Sequence, residues 1–441
     1  MQLNLSDLTE IKVEAIGEQI HLTISNVLSG TIPQSLLKQL IAKNLGIPDA
    51  SIQILERKGD LIFAFADLVN LANQPNQTHL GEEIAAIISQ YLPATLENRV
   101  TGRKVFYITE ESGVPLLGSI YFGIIDRGTN LLQVRPLTGC LLNCPFCSVD
   151  EGRYSKTRVT DYIVADAYLV KEIRKLIDFK GVSDIEIHID GQSEPTLYPH
   201  LTRLIAQLKA DPRIKVISMQ TNGVPLTKIF VRELEKAGLT RINLSINSLN
   251  PKTARILAGT PAYDIAHIEQ ITREIANSAI ELLISPLWVP GVNDNDIQEI
   301  ISFTENLNVK GRFPILGIQN YLKYKFGRRM PHVKMVNRKR FEEQLQAWGK
   351  SFTKHNLLLE RRDFGIHNVK SCPKPFHKGE RVQVEILLPG RLASKHTKRR
   401  EMLACAKDRI IHVMNSTAEV GSSITVRLTS TKDNIFYARQ L

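Results

Sequence analysis

The sequence predicts an α/β protein with three folded parts: a small mixed α/β domain, a larger parallel sheet with crossover helices, and a small β-barrel. Three observations predict this. The chain has 441 residues, which is too long for one compact core and suits two or three domains. Strand-like and helical runs alternate from residue 119 to residue 320. Short strand-like runs with glycine turns follow from residue 377.

The first part of the chain mixes short strands and helices and carries no motif that identifies a function. Residues 20–24 and 60–65 alternate like strands, whereas residues 34–44 and 81–91 have helical spacing. We therefore predict a small α/β domain of unknown role over residues 1–100.

Residues 101–340 form the predicted core, in which apolar, β-branched runs predict strands and helical segments lie between most of them. The strand-like runs are 119–125, 184–190, 214–221, 240–246, 281–288 and 313–318. The helical segments are 164–179, 199–210, 226–237, 265–277 and 294–307. About six such units predict a partial (β/α)6 parallel barrel, whose functional residues gather at the carboxyl ends of the strands.

The C-terminal part is predicted to contain a helical connector, residues 341–374, and a β-barrel, residues 375–441. A helical stretch over residues 337–354 leads into the connector. Short strand-like runs then follow at 381–387, 410–413, 423–428 and 435–438. Glycines at the turns between short strands are typical of a small barrel.

The net charge of +11 is unevenly distributed. Residues 1–130 hold 9 basic and 14 acidic residues, whereas residues 372–441 hold 13 basic and 6 acidic ones. This asymmetry favours local contact with a polyanion, although a solvated basic surface would look the same. The 43% hydrophobic and 23% charged fractions exclude a disordered or collagen-like chain. With no apolar run of about 18 residues and no signal-peptide pattern, we expect a cytoplasmic protein without a membrane span.

The strongest signal is a cysteine triplet, Cys140, Cys144 and Cys147, with the spacing C-x3-C-x2-C. Thiolates are soft ligands that suit iron–sulfur clusters or zinc. Three of them can hold three irons of a [4Fe–4S] cluster and leave the fourth iron open to a non-protein ligand, as in a catalytic site. The alternative is a structural zinc site with His188 or Cys372 as fourth ligand, which the x3 gap fits poorly.

This segment resembles the cluster loop of the radical S-adenosyl-L-methionine (SAM) superfamily, in which an aromatic residue, here Phe146, precedes the last cysteine. The resemblance covers residues 119–320. It implies that the three cysteines hold a [4Fe–4S] cluster and that SAM chelates the open iron. It further implies that one electron cleaves SAM to a 5′-deoxyadenosyl radical, which abstracts a hydrogen from the substrate, and that a ferredoxin or flavodoxin supplies the electron.

Other segments resemble motifs of the same family and follow the cysteines in the expected order. The loop from Gly191 to Glu194 resembles the Gly-Gly-Glu-Pro motif that holds the SAM amino group, with a Gln-Ser pair in place of the second glycine. The polar residue at the Ser245 position implies a contact with the ribose or carboxylate of SAM. Arg255 is either a partner of the SAM carboxylate or an ordinary surface arginine. The implied SAM-binding residues are Phe146, Gly191, Gln192, Ser193, Glu194, Thr221, Asn222, Asn243, Ser245, Arg255 and Val289.

Residues 375–441 resemble a TRAM domain, a small barrel of OB type found on enzymes that modify tRNA and rRNA. Residues 320–340 add eight cations, no acid and interleaved aromatic residues, a combination that suits unpaired bases or, alternatively, a packed connector with a solvated face. The expected RNA-binding residues are Lys323, Lys325, Arg328, Arg329, Arg391, Lys395, Lys398, Arg399 and Arg400.

The two cysteines outside the triplet, Cys372 and Cys405, are too few for an auxiliary cluster. They are either buried inert thiols or a pair that takes part in methyl transfer. We predict a radical SAM enzyme that modifies a nucleoside in tRNA or rRNA. The alternatives are a radical SAM enzyme for a small metabolite or a protein, and a non-enzymatic, metal-dependent RNA-binding protein. The sequence leaves the oligomeric state open.

Overall fold

The computed structural model describes residues 11–24, 27–45, 48–49, 52–57, 60–65, 96–309, 311–352, 356–393 and 399–441. The chain forms two compact units, Met1–Tyr107 and Ile108–Leu441. The predicted connector and barrel belong to the second unit together with the predicted core from residue 108 onward, whereas residues 101–107 of that core belong to the first unit. The predicted helix over residues 81–91 lies outside the described residues.

The first unit combines, in its described residues, short antiparallel strands with one helix. Its elements are β1 (Ile11–Ile16), β2 (Gln19–Ile24), β3 (Leu28–Pro33), α1 (Gln34–Leu45), β4 (Ile52–Arg57), β5 (Asp60–Phe65), β6 (Glu97–Asn98) and β7 (Arg103–Ile108). Strands β1, β2, β3, β6 and β7 are neighbours in that order, and β4 pairs with β5 as a hairpin. Helix α1 buries Leu37 and Ile41 completely, as its helical spacing predicts. The predicted strands 20–24 and 60–65 and the predicted helix 34–44 are confirmed.

The second unit is organised around a mostly parallel sheet. Its strands are β8 (Gly123–Asp126), β9 (Leu131–Arg135), β10 (Thr160–Val164), β11 (Ile185–Ile189), β12 (Ile214–Thr221), β13 (Arg241–Leu244), β14 (Glu281–Ile284), β15 (Leu287–Trp288) and β16 (Gln319–Asn320). The helices between them are α2 (Asp166–Lys180), α3 (Leu201–Lys209), α4 (Lys228–Ala237), α5 (Pro251–Ala258), α6 (Ile265–Ala276) and α7 (Asp294–Glu305). The sheet order is β14-β13-β12-β11-β9-β8. The strand–helix alternation is therefore as predicted, with α2, α3, α4, α6 and α7 close to their predicted bounds.

Two features of this sheet differ from the prediction. Strand β8 runs antiparallel to β9, because the four residues between them can only reverse the chain. The predicted sixth strand, 313–318, is reduced to a parallel bridge between Ile284 and Leu316 and to the short pair β15–β16. Pro286, which has no N–H to donate, separates β14 from β15. Five parallel strands thus form the continuous part of the sheet.

The C-terminal strands close into a five-stranded barrel. They are β17 (Arg381–Pro389), β18 (Arg400–Ala406), β19 (Arg409–Ser416), β20 (Ser423–Ser430) and β21 (Phe436–Gln440), in the order β17-β18-β19-β21-β20. Along β17, Val382, Val384 and Ile386 are buried between exposed neighbours, as the alternation predicts. Strand β18 was not predicted, because its sequence begins in a basic run that reads as a loop.

Backbone hydrogen bonds attach the barrel to the core. The amide of Ile410 donates to the carbonyl of Leu117 at 2.8 Å, and the amide of Phe436 donates to that of Gly118 at 3.2 Å. A Cβ on Gly118 would lie 2.3 Å from the carbonyl oxygen of Ile410, so only glycine permits this approach. The barrel is therefore fixed against the core by main-chain contacts.

The connector contains α8 (Arg338–Gly349), which is shorter than the predicted helix over residues 337–354. Asn337 caps it by accepting a hydrogen bond from the amide of Arg340 at 2.9 Å. Trp348 is buried on its inner face, with its ring centroid 5.2 Å from that of Trp288. Within the part of the chain that the structure describes, no helix is long and apolar enough to cross a membrane.

Candidate cluster-binding and SAM-binding site

The cysteine triplet lies in the loop after β9, at the carboxyl end of the sheet. Main-chain bonds hold this loop on two sides: the amide of Gly139 donates to the carbonyl of Gln192 at 3.1 Å, and that of Asn143 donates to Ala258 at 3.0 Å. A Cβ on Gly259 would lie 2.0 Å from the carbonyl oxygen of Asn143. The end of α5 therefore supports the cysteine loop only because residue 259 is glycine.

The three thiols line one cavity of about 320 Å³, which we call the cluster cavity. Burial raises the pKa of Cys144 to about 12 and also raises the pKa of Cys140 and Cys147. Backbone amides of Leu142 and Glu151 donate to the sulfur atoms of Cys140 and Cys147 at 3.4 and 3.3 Å. Such N–H donors stabilise negative charge on sulfur once a metal replaces the proton.

The donor set fits an iron–sulfur cluster better than a zinc ion. Across the described ranges, no three His, Cys, Asp or Glu side chains surround a point where one metal ion could bind. Nδ1 of His188 is hydrogen-bonded to Ser218 at 2.7 Å, and the sulfur of Cys372 accepts from Arg409 at 3.1 Å. Neither residue lines the cluster cavity. Three thiols without a fourth protein ligand suit a [4Fe–4S] cluster with one open iron.

Glu194 is the most strongly held polar residue beside the thiols. Its Oε1 accepts hydrogen bonds from the Thr196 amide at 3.2 Å, the Thr196 hydroxyl at 2.7 Å and the Thr221 hydroxyl at 2.5 Å. Its Oε2 accepts one, from the amide of Asn222 at 2.8 Å. Burial raises the pKa of Glu194, and these donors oppose that rise. Because Oε2 keeps room for another donor, Glu194 can receive an ammonium group of SAM.

Seven of the predicted SAM-binding residues line the cluster cavity: Phe146, Gly191, Ser193, Glu194, Thr221, Asn222 and Ser245. The hydroxyl of Ser193 is buried and has no hydrogen-bond partner within the described part of the chain, which fits a polar ligand. The side-chain amide of Asn222 approaches the sulfur of Cys140 at 3.6 Å. Residues on four successive strand ends thus meet at one place, as the order of the motifs predicts.

The other four predicted SAM-binding residues do not line this cavity, and their contact with SAM stays a prediction. Oδ1 of Asn243 accepts from Nε of Arg241 at 3.0 Å inside the sheet. Val289 is fully buried in a small apolar cluster, and Arg255 is exposed on α5. Oε1 of Gln192 accepts from Arg391 at 3.3 Å.

Several residues that line the cluster cavity were missed. Gln220 donates to the hydroxyl of Ser245 at 2.9 Å, and Asn247 accepts from the amide of Leu287 at 2.8 Å. Both lie at or just beyond strand ends, so their polar character next to apolar strands was an available signal. Tyr263, on a loop between two helices, gave no such signal.

The predicted RNA-binding residues fall into three groups. Lys323, Lys325, Arg329, Arg399 and Arg400 are exposed, and Arg400 forms an ion pair with Glu419 at 2.8 Å. Lys395 and Lys398 lie outside the described residues. The expectation is wrong for Arg391, whose side chain is 0% exposed, and it is corrected for Arg328 as described next.

Arg328 supports the cysteine loop instead of facing solvent. Its Nη1 donates to the carbonyl of Cys144 at 3.0 Å, and its amide donates to that of Cys147 at 2.8 Å. Its Nε pairs with Asp150 at 2.6 Å. Residues 321–330, which we call the strap, therefore cover the cysteine loop.

A buried ion network joins the barrel to the same loop. Arg391, which precedes β18, pairs with Glu151 and, at 2.7 Å, with Asp161, and all three side chains are almost fully buried. Glu151 is also the residue whose amide donates to the sulfur of Cys147. On the barrel side, Glu401 accepts from the amide of Arg391 at 3.0 Å and pairs with His412 at 3.0 Å. The barrel thus contributes directly to the order of the cysteine loop.

A second cavity, of about 660 Å³, adjoins the cluster cavity. The two share wall residues at the strand ends, including Gly191, Ser193, Gln220 and Ser245. The strap contributes Tyr324 to both cavities, and the barrel contributes Tyr437 to the second one. A molecule in the second cavity would therefore lie next to whatever occupies the first.

Comparison with known proteins agrees with the geometry of this site. A sequence profile of the Radical SAM superfamily matches residues 134–304. The protein MJ0103 of Methanocaldococcus jannaschii is 40% identical to this chain over 376 residues, which cover 80% of this chain and 85% of that protein. The GTP 3′,8-cyclase of Petrotoga mobilis is 29% identical over 188 residues, which cover 42% of this chain and 55% of the cyclase. The chain thus matches about half the length of that cyclase. The crystal structure of SuiB from Streptococcus suis bound to S-adenosylmethionine shares 14% identity with a TM-score of 0.39, over 78% of this chain and 69% of SuiB.

Proposed function

Because residues 134–304 match the radical SAM superfamily, we propose that this chain is a radical SAM enzyme that modifies a nucleoside within tRNA or rRNA. The family establishes an enzyme that uses a [4Fe–4S] cluster and SAM. When bound, these two groups supply one-electron reductive cleavage of SAM and hydrogen-atom abstraction from the substrate.

The residues of this chain position and enclose those groups. Cys140, Cys144 and Cys147 would hold the cluster as thiolates, each losing its proton to solvent on binding because the metal competes for the sulfur. Oε2 of Glu194 would accept from the SAM ammonium, and the Gln220–Ser245 pair offers hydroxyl and amide groups to its polar parts. The strap and the end of α5 hold the loop in place by hydrogen bonds to its main chain.

The observation that carries the RNA proposal is the position of the barrel. Its main chain is bonded to the core at Leu117 and Gly118, and Tyr437 on β21 lines the cavity next to the thiols. A closed five-stranded barrel with exposed cations at Arg399 and Arg400 resembles the TRAM domains of RNA-modifying enzymes. Such a barrel would bind phosphates beside the site and present an extruded base to the strand ends.

A second candidate is an enzyme that acts on a free nucleotide. The observation that favours it is the similarity of this chain to proteins named GTP 3′,8-cyclase, which covers 42% of the chain. Under this proposal the barrel would only complete the cavity wall and would not grip RNA.

Mass spectrometry of nucleosides from total tRNA and rRNA tests the RNA proposal. Cells that lack the gene should lose one modified nucleoside and accumulate its precursor, and the mass difference gives the reaction. A plasmid that encodes the wild-type chain or Cys405→Ser should restore the nucleoside, whereas Cys140→Ser should not. The Cys405 variant is the matched control, because its sulfur lies in the barrel and not in the cluster cavity. An unchanged set of RNA nucleosides would refute the RNA proposal and favour the free nucleotide.

A further inference from the structure

The second cavity is strongly cationic. Its walls contain the basic side chains of Arg127, Arg135, Arg158 and Lys325, and only one acidic side chain, Asp190. That carboxylate already accepts hydrogen bonds from Gln133 at 2.7 Å and from Arg135 at 3.3 Å. Arg127 is also paired with Asp433, and Arg135 with Asp190, so Arg158 and Lys325 supply the excess positive charge of this cavity, which favours an anionic ligand.

Arg158 is one of two wall residues with unused hydrogen-bonding capacity among the described residues. Arg158 is 5% exposed, and its Nε donates to the carbonyl of Val149 at 2.8 Å. Its Nη1 is buried and has no hydrogen-bond partner among the residues that the structure describes. A buried guanidinium N–H without a partner carries a desolvation cost, which an anion that reaches Nη1 from the cavity would remove. Ser193, whose hydroxyl is also unpartnered, lies on the wall that the two cavities share.

Aromatic side chains surround the same space. Tyr324 is 48% exposed and lines both cavities, and Phe326 and Tyr437 line the second one. An exposed tyrosine ring offers a stacking surface for a nucleobase that does not depend on the identity of the base. Because Tyr324 lies where the cavities meet, a base stacked on it would lie next to the cluster cavity.

We propose that the second cavity is the nucleotide-binding pocket of the enzyme, in which Arg158 binds the phosphate and Tyr324 stacks on the base. This inference rests on the proposed function, because the pocket would bind the phosphate and the base of the nucleotide that is modified, either within RNA or as a free nucleotide. Both substrates carry the same chemistry at this point, a phosphate on a nucleoside. The pocket contributes binding, and the unpartnered Nη1 of Arg158 contributes its specificity for the anion.

Binding measurements on the full-length protein with its cluster test this proposal. The probes are the four nucleoside 5′-monophosphates, the four matching nucleosides, and tRNA from cells that lack the gene. The wild type should prefer a monophosphate over its nucleoside. Arg158→Gln should abolish that preference through a loss of about tenfold in affinity, as expected for a charge-assisted hydrogen bond. Arg232→Gln, at an exposed position on α4, is the matched control and should bind like the wild type.

The two sources of phosphate give different outcomes. If the substrate is a free nucleotide, the monophosphates bind and the effect of Arg158→Gln appears with them. If the substrate is RNA, tRNA binds more tightly than any monophosphate, and Arg158→Gln weakens tRNA binding. The slope of log affinity against log salt concentration then falls by the equivalent of about one phosphate contact. Equal binding of all probes by Arg158→Gln and the wild type would overturn the proposal, as would no binding of either phosphate probe by the wild type.

A second variant keeps the test decisive if Arg158→Gln does not fold. Tyr324→Ala removes an exposed ring and leaves the core intact, and it should weaken nucleosides and monophosphates alike by about tenfold. Unchanged affinity in Tyr324→Ala would overturn the stacking assignment. The nucleoside analysis separates the two proposals. If cells that lack the gene lose a nucleoside but Arg158→Gln binds and modifies RNA normally, only the pocket proposal is refuted. If the RNA nucleosides of those cells are unchanged but the protein binds nucleotides selectively through their phosphate, only the RNA substrate is refuted.

Discussion

Replacement of Arg391 by methionine should destabilise the larger unit and loosen the cysteine loop. The guanidinium of Arg391 lies between Glu151 and Asp161, and its Nε donates to the carbonyl of Thr160 at 2.9 Å. The three side chains are between 0 and 3% exposed. Methionine matches the length of the arginine stem but leaves two carboxylates buried without their cation.

The expected loss follows from this geometry. Breaking a buried ion pair by removing one partner costs about 3–5 kcal/mol, because a buried charge is left uncompensated. The unit from Ile108 to Leu441 has an unfolding entropy of about 0.7 kcal/mol/K by the usual value per residue. The melting temperature should therefore fall by about 4–7 °C. Iron retention should also fall, since Glu151 donates its amide to the sulfur of Cys147.

Differential scanning calorimetry and iron analysis of the reconstituted protein measure both effects. Arg338→Met is the matched control: it removes an exposed ion pair with Glu342 at 2.6 Å and should shift the melting temperature by no more than about 1 °C. Adding Glu151→Gln and Asp161→Asn to Arg391→Met should recover part of the loss, because the unpaired charges are then gone. A melting temperature for Arg391→Met equal to that of the wild type would refute the reasoning.

Three further predictions concern the cysteine loop and the barrel. Gly259→Ala and Gly181→Ala both place alanine after the end of a helix, at a residue with positive φ (+67 and +69). Only the alanine Cβ at residue 259 would collide with a backbone atom, so only Gly259→Ala should lower the iron content of the purified protein. Serine at any one of the three cluster cysteines should abolish the visible absorbance of the cluster, whereas Cys405→Ser should retain it, as anaerobic spectroscopy would record. Burial by itself raises the pKa of Glu401, but hydrogen bonds from His412 and from backbone amides lower that pKa by more. The pKa of Glu401 in the folded protein therefore lies below the usual 4.5, and the ionised carboxylate stabilises the fold above that pH. Urea unfolding should therefore show a stability gap between wild type and Glu401→Gln that is full at pH 7 and narrows as the pH falls below about 4.5, whereas a constant gap would contradict this.

Much of the fold was predictable because its signals are local. The strand of residues 214–221 was predicted with its exact bounds, and α2, α3, α6 and α7 were predicted to within two residues or so at each end. The antiparallel direction of β8 was missed, because the length of the loop between β8 and β9 decides whether the two strands pair parallel or antiparallel, and the sequence of the strand itself does not. Strand β18 was missed because its barrel partners, far away in sequence, determine its conformation.

In the candidate site, too, the residues with local sequence signals were predicted and those that depend on contacts far apart in the chain were not. The cysteines, Glu194, Thr221 and Ser245 were predictable, since parallel strands bring their carboxyl ends to one edge. Arg391 was misjudged because its basic neighbours suggested a surface, whereas its two carboxylate partners lie about 230 and 240 residues earlier in the chain. Arg158 gave no signal in the sequence, because the burial of its Nη1 beside the second cavity is a property of the folded chain.

The most direct test of the central claim is a reaction with the purified enzyme. The full-length protein with its cluster is incubated anaerobically with SAM, a low-potential reductant and tRNA or rRNA from cells that lack the gene. The account predicts that the precursor nucleoside is converted to the modified one, and that Cys144→Ser gives no conversion. SAM cleavage that is unaffected by RNA and leaves every nucleoside unchanged would contradict the account.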